Sequence, residues 1–108
     1  MSDWVIVGQR SQFAPGTATR VQVADAAVAV VNTEQGELFA VSDTCTHAEV
    51  SLSEGEVEDC AIECWLHGSR FDLRSGEPSG PPATVALTTY DVAMSDDADP
   101  VISVRLHA

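Results

Sequence analysis

Two short groups of cysteine and histidine lie sixteen residues apart in this sequence: Cys45-Thr46-His47 and Cys64-Trp65-Leu66-His67. Thiolate sulfur and imidazole nitrogen are common ligands of zinc and iron in proteins. Each group is short enough to occupy one loop, so two neighbouring loops would offer two sulfurs and two nitrogens. That set of donors suits a zinc ion or an iron-sulfur cluster, and ligand type alone does not separate the two.

The order of the ligands favours the iron-sulfur cluster. Zinc fingers usually pair cysteine with cysteine and histidine with histidine, whereas each group here supplies one of each. In a mixed-ligand two-iron cluster, two cysteines bind one iron and two histidines bind the other. Each loop would then contact both irons and clamp the cluster between the loops. We therefore expect four ligands: Cys45, His47, Cys64 and His67.

Other residues that could do chemistry do not join this set. Cys60 stands in the strand-like run Cys60-Ala61-Ile62, which predicts a buried structural thiol. His107 is next to the carboxyl terminus, where we expect a solvated side chain. The sequence contains no nucleophile with a base, no phosphate-binding glycine loop and no motif of paired carboxylates. We expect no catalytic site.

The elements that position the two loops are predicted to be strands. Apolar residues alternate or form short runs, and turn residues such as Glu34-Gln35-Gly36 and Gly80-Pro81-Pro82 separate them. One helical turn is possible at 11–13 and another at 50–54. An all-β sandwich or small barrel follows. The predicted strands cover 4–7, 19–23, 26–33, 38–41, 61–65, 87–94 and 101–106.

Composition limits the class of protein and its partners. The 108 residues are 44% hydrophobic, which predicts a single folded domain. Five basic residues against 17 acidic ones give a net charge of -12, which disfavours nucleic acid and anionic membranes as partners. The longest apolar run, 26–31, is too short to cross a bilayer, and the amino terminus lacks a signal-peptide pattern. We expect a cytoplasmic protein, since three cysteines suit a reducing compartment.

Residues 42–83 resemble the signature of Rieske ferredoxins. The matching residues are Cys45-Thr46-His47, Cys64-Trp65-Leu66-His67-Gly68-Ser69, Phe71-Asp72, Gly76 and Pro82-Ala83. The resemblance implies one 2Fe-2S cluster, with the cysteines on an inner iron and the histidines on an outer iron that faces solvent. It also implies the Rieske iron-sulfur fold, an antiparallel β sandwich in which 1–41 and 84–108 form a base and 42–83 a small cluster-binding subdomain. Gly80-Pro81-Pro82 would form a loop that covers the cluster.

Departures from the family pattern predict a low reduction potential. High-potential members carry a disulfide between the two loops, and Val50 and Leu66 stand at those positions here. Phe71 replaces a tyrosine whose hydroxyl donates a hydrogen bond toward the cluster, although the matching serine, Ser69, is present. Fewer donors and more nearby carboxylates disfavour the electron-rich reduced state.

The resemblance implies a one-electron carrier that is not itself an enzyme. Its partners would be a flavin-dependent ferredoxin reductase and a terminal oxygenase, such as an aromatic-ring dioxygenase. Three alternatives stay open at this point: a ferredoxin that serves another pathway such as iron-sulfur assembly, a protein like the small subunit of nitrite reductase, and a zinc-stabilised interaction module. The intact ligand set argues against the second, and the ligand order argues against the third.

Overall fold

The computed structural model describes residues 4–46, 50–66, 68–79 and 84–106. These residues contain nine strands and two single-turn 3-10 helices, Arg10–Gln12 and Leu52–Glu54. The strands are β1 (Trp4–Gln9), β2 (Thr17–Val23), β3 (Ala26–Asn32), β4 (Leu38–Ser42), β5 (Glu56–Glu58), β6 (Ala61–Glu63), β7 (Arg70–Asp72), β8 (Thr89–Met94) and β9 (Val101–Arg105).

Six strands form an antiparallel sheet in the order β1-β9-β8-β4-β3-β2. Its longest ladder is the β2–β3 hairpin, which pairs Thr17 with Asn32 at one end and Val23 with Ala26 at the other. The hairpin turns through two residues, and the first, Ala24, has a φ of 53°. Tight hairpin turns need a positive φ there, because the turn must match the twist of the strands.

The other three strands form a small antiparallel sheet in the order β5-β6-β7. All of its strands lie between residues 56 and 72, so its contacts are local in sequence. In its centre Ile62 pairs with Phe71, and both side chains are buried. The sheet presents this apolar pair to the larger sheet.

The core has two parts, and β3 contributes to both. Ala29 and Val31 pack in the part shared with the small sheet, whereas Val28 and Val30 pack in the other part with Ile102 and Val104 of β9. Successive side chains of a strand point to opposite faces, so β3 is buried on both. This burial explains why its sequence is an almost continuous apolar run.

The predicted all-β fold is confirmed, and each of the seven predicted strands overlaps an observed one. The single helical turns expected near 11–13 and 50–54 are also present. The sequence missed β5 and β7, because a three-residue strand with one central apolar residue shows no measurable alternation. In the described part of the chain, none of the helices is long and apolar enough to cross a membrane.

The position predicted for Cys60 was wrong in detail. Cys60 lies in the two-residue turn between β5 and β6 rather than in a strand, and it is half-buried. The turn forms there because Asp59 takes a positive φ of 56°, which aspartate tolerates better than most residues.

Candidate metal centre

The first predicted loop starts where β4 ends. Cys45 is three residues beyond Ser42, and its main-chain N–H donates to the carbonyl of Val50 at 3.1 Å. Thr44 and Ser51 form an isolated antiparallel bridge just outside that bond. The chain therefore leaves and returns within a few residues, and the Cys45 side chain is only 3% exposed.

The second loop follows β6 and is closed in the same way. The main-chain N–H of Cys64 donates to the carbonyl of Ser69 at 2.7 Å, and the N–H of Gly68 donates to the carbonyl of Cys64 at 2.9 Å. Gly68 has a φ of 75°, a conformation that glycine adopts without strain. Cys64 is fully buried.

The two thiols meet in a single apolar core. Cys45 and Cys64 pack in the part of the core shared by the two sheets, with large side chains around them. Such surroundings exclude water, which suits an iron-sulfur cluster held by thiolates. The donor chemistry and the burial of the two cysteines therefore fit the inner half of the predicted site. The neighbouring large side chains are Leu52, Ile62, Phe71, Leu73 and Leu87.

Both predicted histidine ligands lie outside the described residues. The same is true of the predicted covering loop at 80–82, so these two parts of the prediction stay predictions. In the residues that the structure describes, no group of three or more histidine, cysteine, aspartate or glutamate side chains could hold a metal ion.

A third segment, 84–88, is bound to the first loop, to the turn after β7 and to the end of β4. The hydroxyl of Thr46 donates to the carbonyl of Val85 at 2.7 Å, and the N–H of Leu87 donates to the carbonyl of Gly76 at 2.8 Å. The N–H of Ser42 donates to the carbonyl of Thr88 at 2.9 Å. Sequence reasoning missed the role of Thr46, which stands between two predicted ligands and ties their loop to the third segment.

Large apolar side chains are exposed next to the buried thiols. Trp65 is 52% exposed, Leu66 41% and Val85 60%. Trp65 and Leu66 stand between the second pair of predicted ligands, and Val85 is held by Thr46. We call these three residues the apolar rim. An exposed apolar group at one end of a small protein commonly marks a surface that contacts another molecule.

Cys60 is in a different environment from the other two cysteines. Partial burial raises the pKa of its thiol, and the nearby positive charge of Arg74 opposes that rise. Arg74 itself bonds to Glu37 at 2.9 Å and stacks on the ring of Phe39 at 5.4 Å. Cys60 therefore packs at the edge of the core as a protonated thiol at neutral pH.

Comparison with known proteins places the chain in a family. Residues 3–91 match the model of the Rieske [2Fe-2S] domain. The chain is 38% identical over 93 residues to "Ferredoxin CarAc" of Metapseudomonas resinovorans, covering 86% of this chain and 87% of that protein. It is 42% identical over 85 residues to the ferredoxin component of biphenyl 2,3-dioxygenase from Rhodococcus jostii strain RHA1, covering 79% and 78% respectively.

A solved structure agrees with these relatives. A chain from the complex of reduced oxygenase and oxidized ferredoxin in carbazole 1,9a-dioxygenase superimposes with a TM-score of 0.80. The match covers 92% of this chain and 99% of that one at 36% identity. Because the sequence signature, the fold and the relatives agree, this chain belongs to the Rieske [2Fe-2S] family and is a ferredoxin-type electron carrier with one 2Fe-2S cluster, not an enzyme.

Proposed function

We propose that this protein accepts electrons one at a time from a flavin-dependent ferredoxin reductase and passes them to a terminal oxygenase in the cytoplasm. An aromatic-ring dioxygenase is the kind of oxygenase that the similar proteins support, since one is the ferredoxin component of biphenyl 2,3-dioxygenase and another is seen in complex with the oxygenase of carbazole 1,9a-dioxygenase. The observation that carries the proposal is the placement of two buried thiols in one core, with two residues of the exposed apolar rim in the second loop and the third bonded to the first loop.

The proposed ligands are Cys45 and Cys64 on the inner iron, and His47 and His67 on the outer iron. The bound cluster would supply one reversible electron at a potential set by its surroundings. Leu52, Phe71 and the rest of the shared core would keep water from the inner iron. We also propose that 42–83 acts as the cluster-binding subdomain on a base made of 1–41 and 84–108.

The apolar rim is the proposed contact with both partners. Trp65, Leu66 and Val85 would pack against an apolar patch, because the centres of protein interfaces are depleted in charge and enriched in aromatic residues. All five arginines of the chain are already engaged in hydrogen bonds or ion pairs within it. Acidic side chains therefore dominate the remaining charge, and a partner with basic residues around its patch would be favoured.

The alternatives are not favoured by the relatives: both are ferredoxins, one of them a dioxygenase component, and the match covers 87% and 78% of their lengths. A zinc-stabilised interaction module would be colourless, whereas a Rieske protein is red-brown. A ferredoxin of an oxygenase system and a ferredoxin of iron-sulfur assembly would both be red-brown, but their protein partners differ. Electron transfer to a purified oxygenase, compared with transfer to an iron-sulfur assembly protein, separates them.

The test of the site is electron paramagnetic resonance of anaerobically purified, dithionite-reduced protein, with iron and zinc measured on the same sample. Mixed nitrogen and sulfur ligation should give a signal with a lowered average g value and about two irons per chain. Cys64→Ser should abolish the signal and the iron. Cys60→Ser is the matched control. It should keep the signal and the iron, because Cys60 lies outside the two predicted ligand loops.

Zinc in place of iron, with no signal, would contradict the proposal. A normal signal in Cys64→Ser would contradict the ligand set alone. A signal that is lost in Cys60→Ser would show that the third cysteine had been wrongly left out of the site.

A further inference from the structure

Asp43 is a carboxylate that is only 1% exposed, two residues before Cys45. Its Oδ1 accepts a hydrogen bond from the main-chain N–H of Ser53 at 2.8 Å. Its main-chain carbonyl accepts one from the N–H of Leu52 at 2.6 Å, and its own N–H donates to the carbonyl of Ala27 at 3.0 Å. One residue thus joins the end of β4, the start of β3 and the far side of the first loop.

The two N–H groups that donate hydrogen bonds to Asp43 belong to the 3-10 helix Leu52–Glu54. The first N–H groups of a helix have no partner inside it, and the N-cap residue Ser51 makes no side-chain capping bond. Asp43 supplies both missing acceptors from across the loop. It therefore caps this helix as a neighbouring N-cap residue would, and the segment 43–53 is closed by the cap.

The first predicted ligand pair lies inside this closed segment. Inside the two bonds that Asp43 accepts are the Thr44–Ser51 bridge and the bond from Cys45 to Val50, so successive contacts join the two sides of the loop. A loss of the outermost bonds would free the inner ones, because each inner bond depends on the two strands of the loop staying side by side.

The ion pair of Asp43 is the weaker of its interactions. Oδ2 lies 3.7 Å from Nε of Arg20, and the Arg20 side chain is 59% exposed. Exposed ion pairs contribute little to stability, because water and salt screen them. A buried carboxylate that accepts a short bond from a main-chain N–H contributes more, since breaking it leaves the N–H unsatisfied.

We propose that Asp43 is a positioning residue for the cluster: its side-chain oxygen accepts the hydrogen bond from the N–H of Ser53, holds the first loop closed and fixes Cys45 against the shared core. The proposal rests on the proposed role of Cys45 as a ligand. It assigns the effect to the acceptor oxygen of the side chain and not to its negative charge.

The test compares Asp43→Ala, Asp43→Asn and Arg20→Gln in the cluster-loaded protein. The rate of cluster loss is followed by bleaching in the presence of an iron chelator. Asp43→Ala should lose the cluster about 10 to 100 times faster than the wild type, as is typical when a residue that orients a metal ligand is removed. Asp43→Asn keeps an acceptor for Ser53, and Arg20→Gln removes only the ion pair. Both should stay within about fivefold of the wild type.

Two results would overturn the proposal. An Asp43→Ala protein that keeps its cluster as long as the wild type would show that the loop does not need Asp43. An Asp43→Asn protein as unstable as Asp43→Ala would assign the effect to charge instead of the hydrogen bond.

Hydrogen exchange measured by mass spectrometry decides the matter if Asp43→Ala does not fold. The peptide containing the Ser53 amide, which donates to the Asp43 side chain, should be protected in the wild type and equally protected in Asp43→Asn. Free exchange of that peptide in the wild type would overturn the proposal. This readout does not depend on the identity of the metal or the partner, so its failure is distinct from a failure of the proposed function.

Discussion

Three cysteines of one chain occupy two kinds of environment. Cys45 and Cys64 are buried in the same core, and the main-chain N–H of each is used to close its own loop. Cys60 is half-buried on a hairpin turn, and burial raises the pKa of its thiol. Spacing relative to histidine was enough to separate the pair from the third cysteine. The environment of Cys60 was not predicted, because the two-residue turn at 59–60 delays the start of β6 to Ala61, one residue after the start of the run Cys60-Ala61-Ile62.

Ser69 offers a test of the predicted low reduction potential. It is buried beside the second loop, and the resemblance assigns its hydroxyl to a hydrogen bond toward the cluster. Because such bonds stabilise the reduced state, Ser69→Ala should lower the midpoint potential in a redox titration. Ser75→Ala is the control, since Ser75 is an exposed serine of the same region and should leave the potential unchanged.

The wild-type potential is itself a prediction. Phe71 is fully buried, and it offers no hydroxyl at the position where the family resemblance implies a tyrosine in high-potential members. We expect a midpoint in the lower part of the range of about -150 to +300 mV that Rieske centres span. A midpoint above roughly +100 mV, high in that range, would contradict the prediction.

At the scale of elements, Gly76 joins the turn after β7 to the segment before β8. Its φ is 80°, and a Cβ atom there would lie 2.2 Å from the carbonyl oxygen of Leu87. Gly76→Ala should therefore cost about 1–2 kcal/mol of left-handed strain and a further ~1–3 kcal/mol from the collision with backbone. Gly16→Ala is the matched control, since Gly16 has a φ of 78° but only the flexible side chain of Glu34 nearby.

Urea unfolding, followed by circular dichroism, measures the difference between these two variants. The midpoint of Gly76→Ala should fall well below that of Gly16→Ala. Equal midpoints would mean that the third segment, 84–88, moves away from residue 76 without cost in free energy of unfolding. Gly76 would then not fix that segment.

The predictability of the elements follows their length. β3, buried on both faces, and β9, with its alternating pattern, were predicted because their residues repeat the pattern for five residues or more. β5 and β7 have three residues with one central apolar residue, whereas the equally short β6 was predicted because the apolar residues of 61–65 continue past its end. The hydrogen bond that Ser53 donates to Asp43 spans 10 residues, and the one that Thr46 donates to Val85 spans 39. No local pattern contains them, because they exist only after the loops and the sheets have packed.

For the whole molecule, charge is the property that a partner meets first. The net charge is -12, and four of the five arginines form ion pairs with acidic residues of the same chain. The field outside the protein is therefore strongly negative, and it should speed encounters with a basic partner.

Electron transfer to the purified oxygenase should thus slow by about tenfold or more between low salt and 1 M salt, where the Debye length is only about 3 Å. Stopped-flow absorbance measures this rate. Reduction by a small uncharged reagent is the control and should change little with salt. A rate with the oxygenase that is indifferent to salt would leave the apolar rim as the sole determinant of docking.

The place of β9 between β1 and β8 sets the order in which the fold can be completed. Trp4 pairs with Arg105, and Asp91 pairs with the same residue from the other side. During synthesis β1 leaves the ribosome first, yet it has no neighbour in the sheet until the last of the nine strands has emerged. The small sheet, whose strands are all made within 17 residues, can form long before that. A chain that stops before β9 would leave the edges of both β1 and β8 open to pairing with other chains, which makes premature termination a route to aggregation rather than to a smaller working ferredoxin.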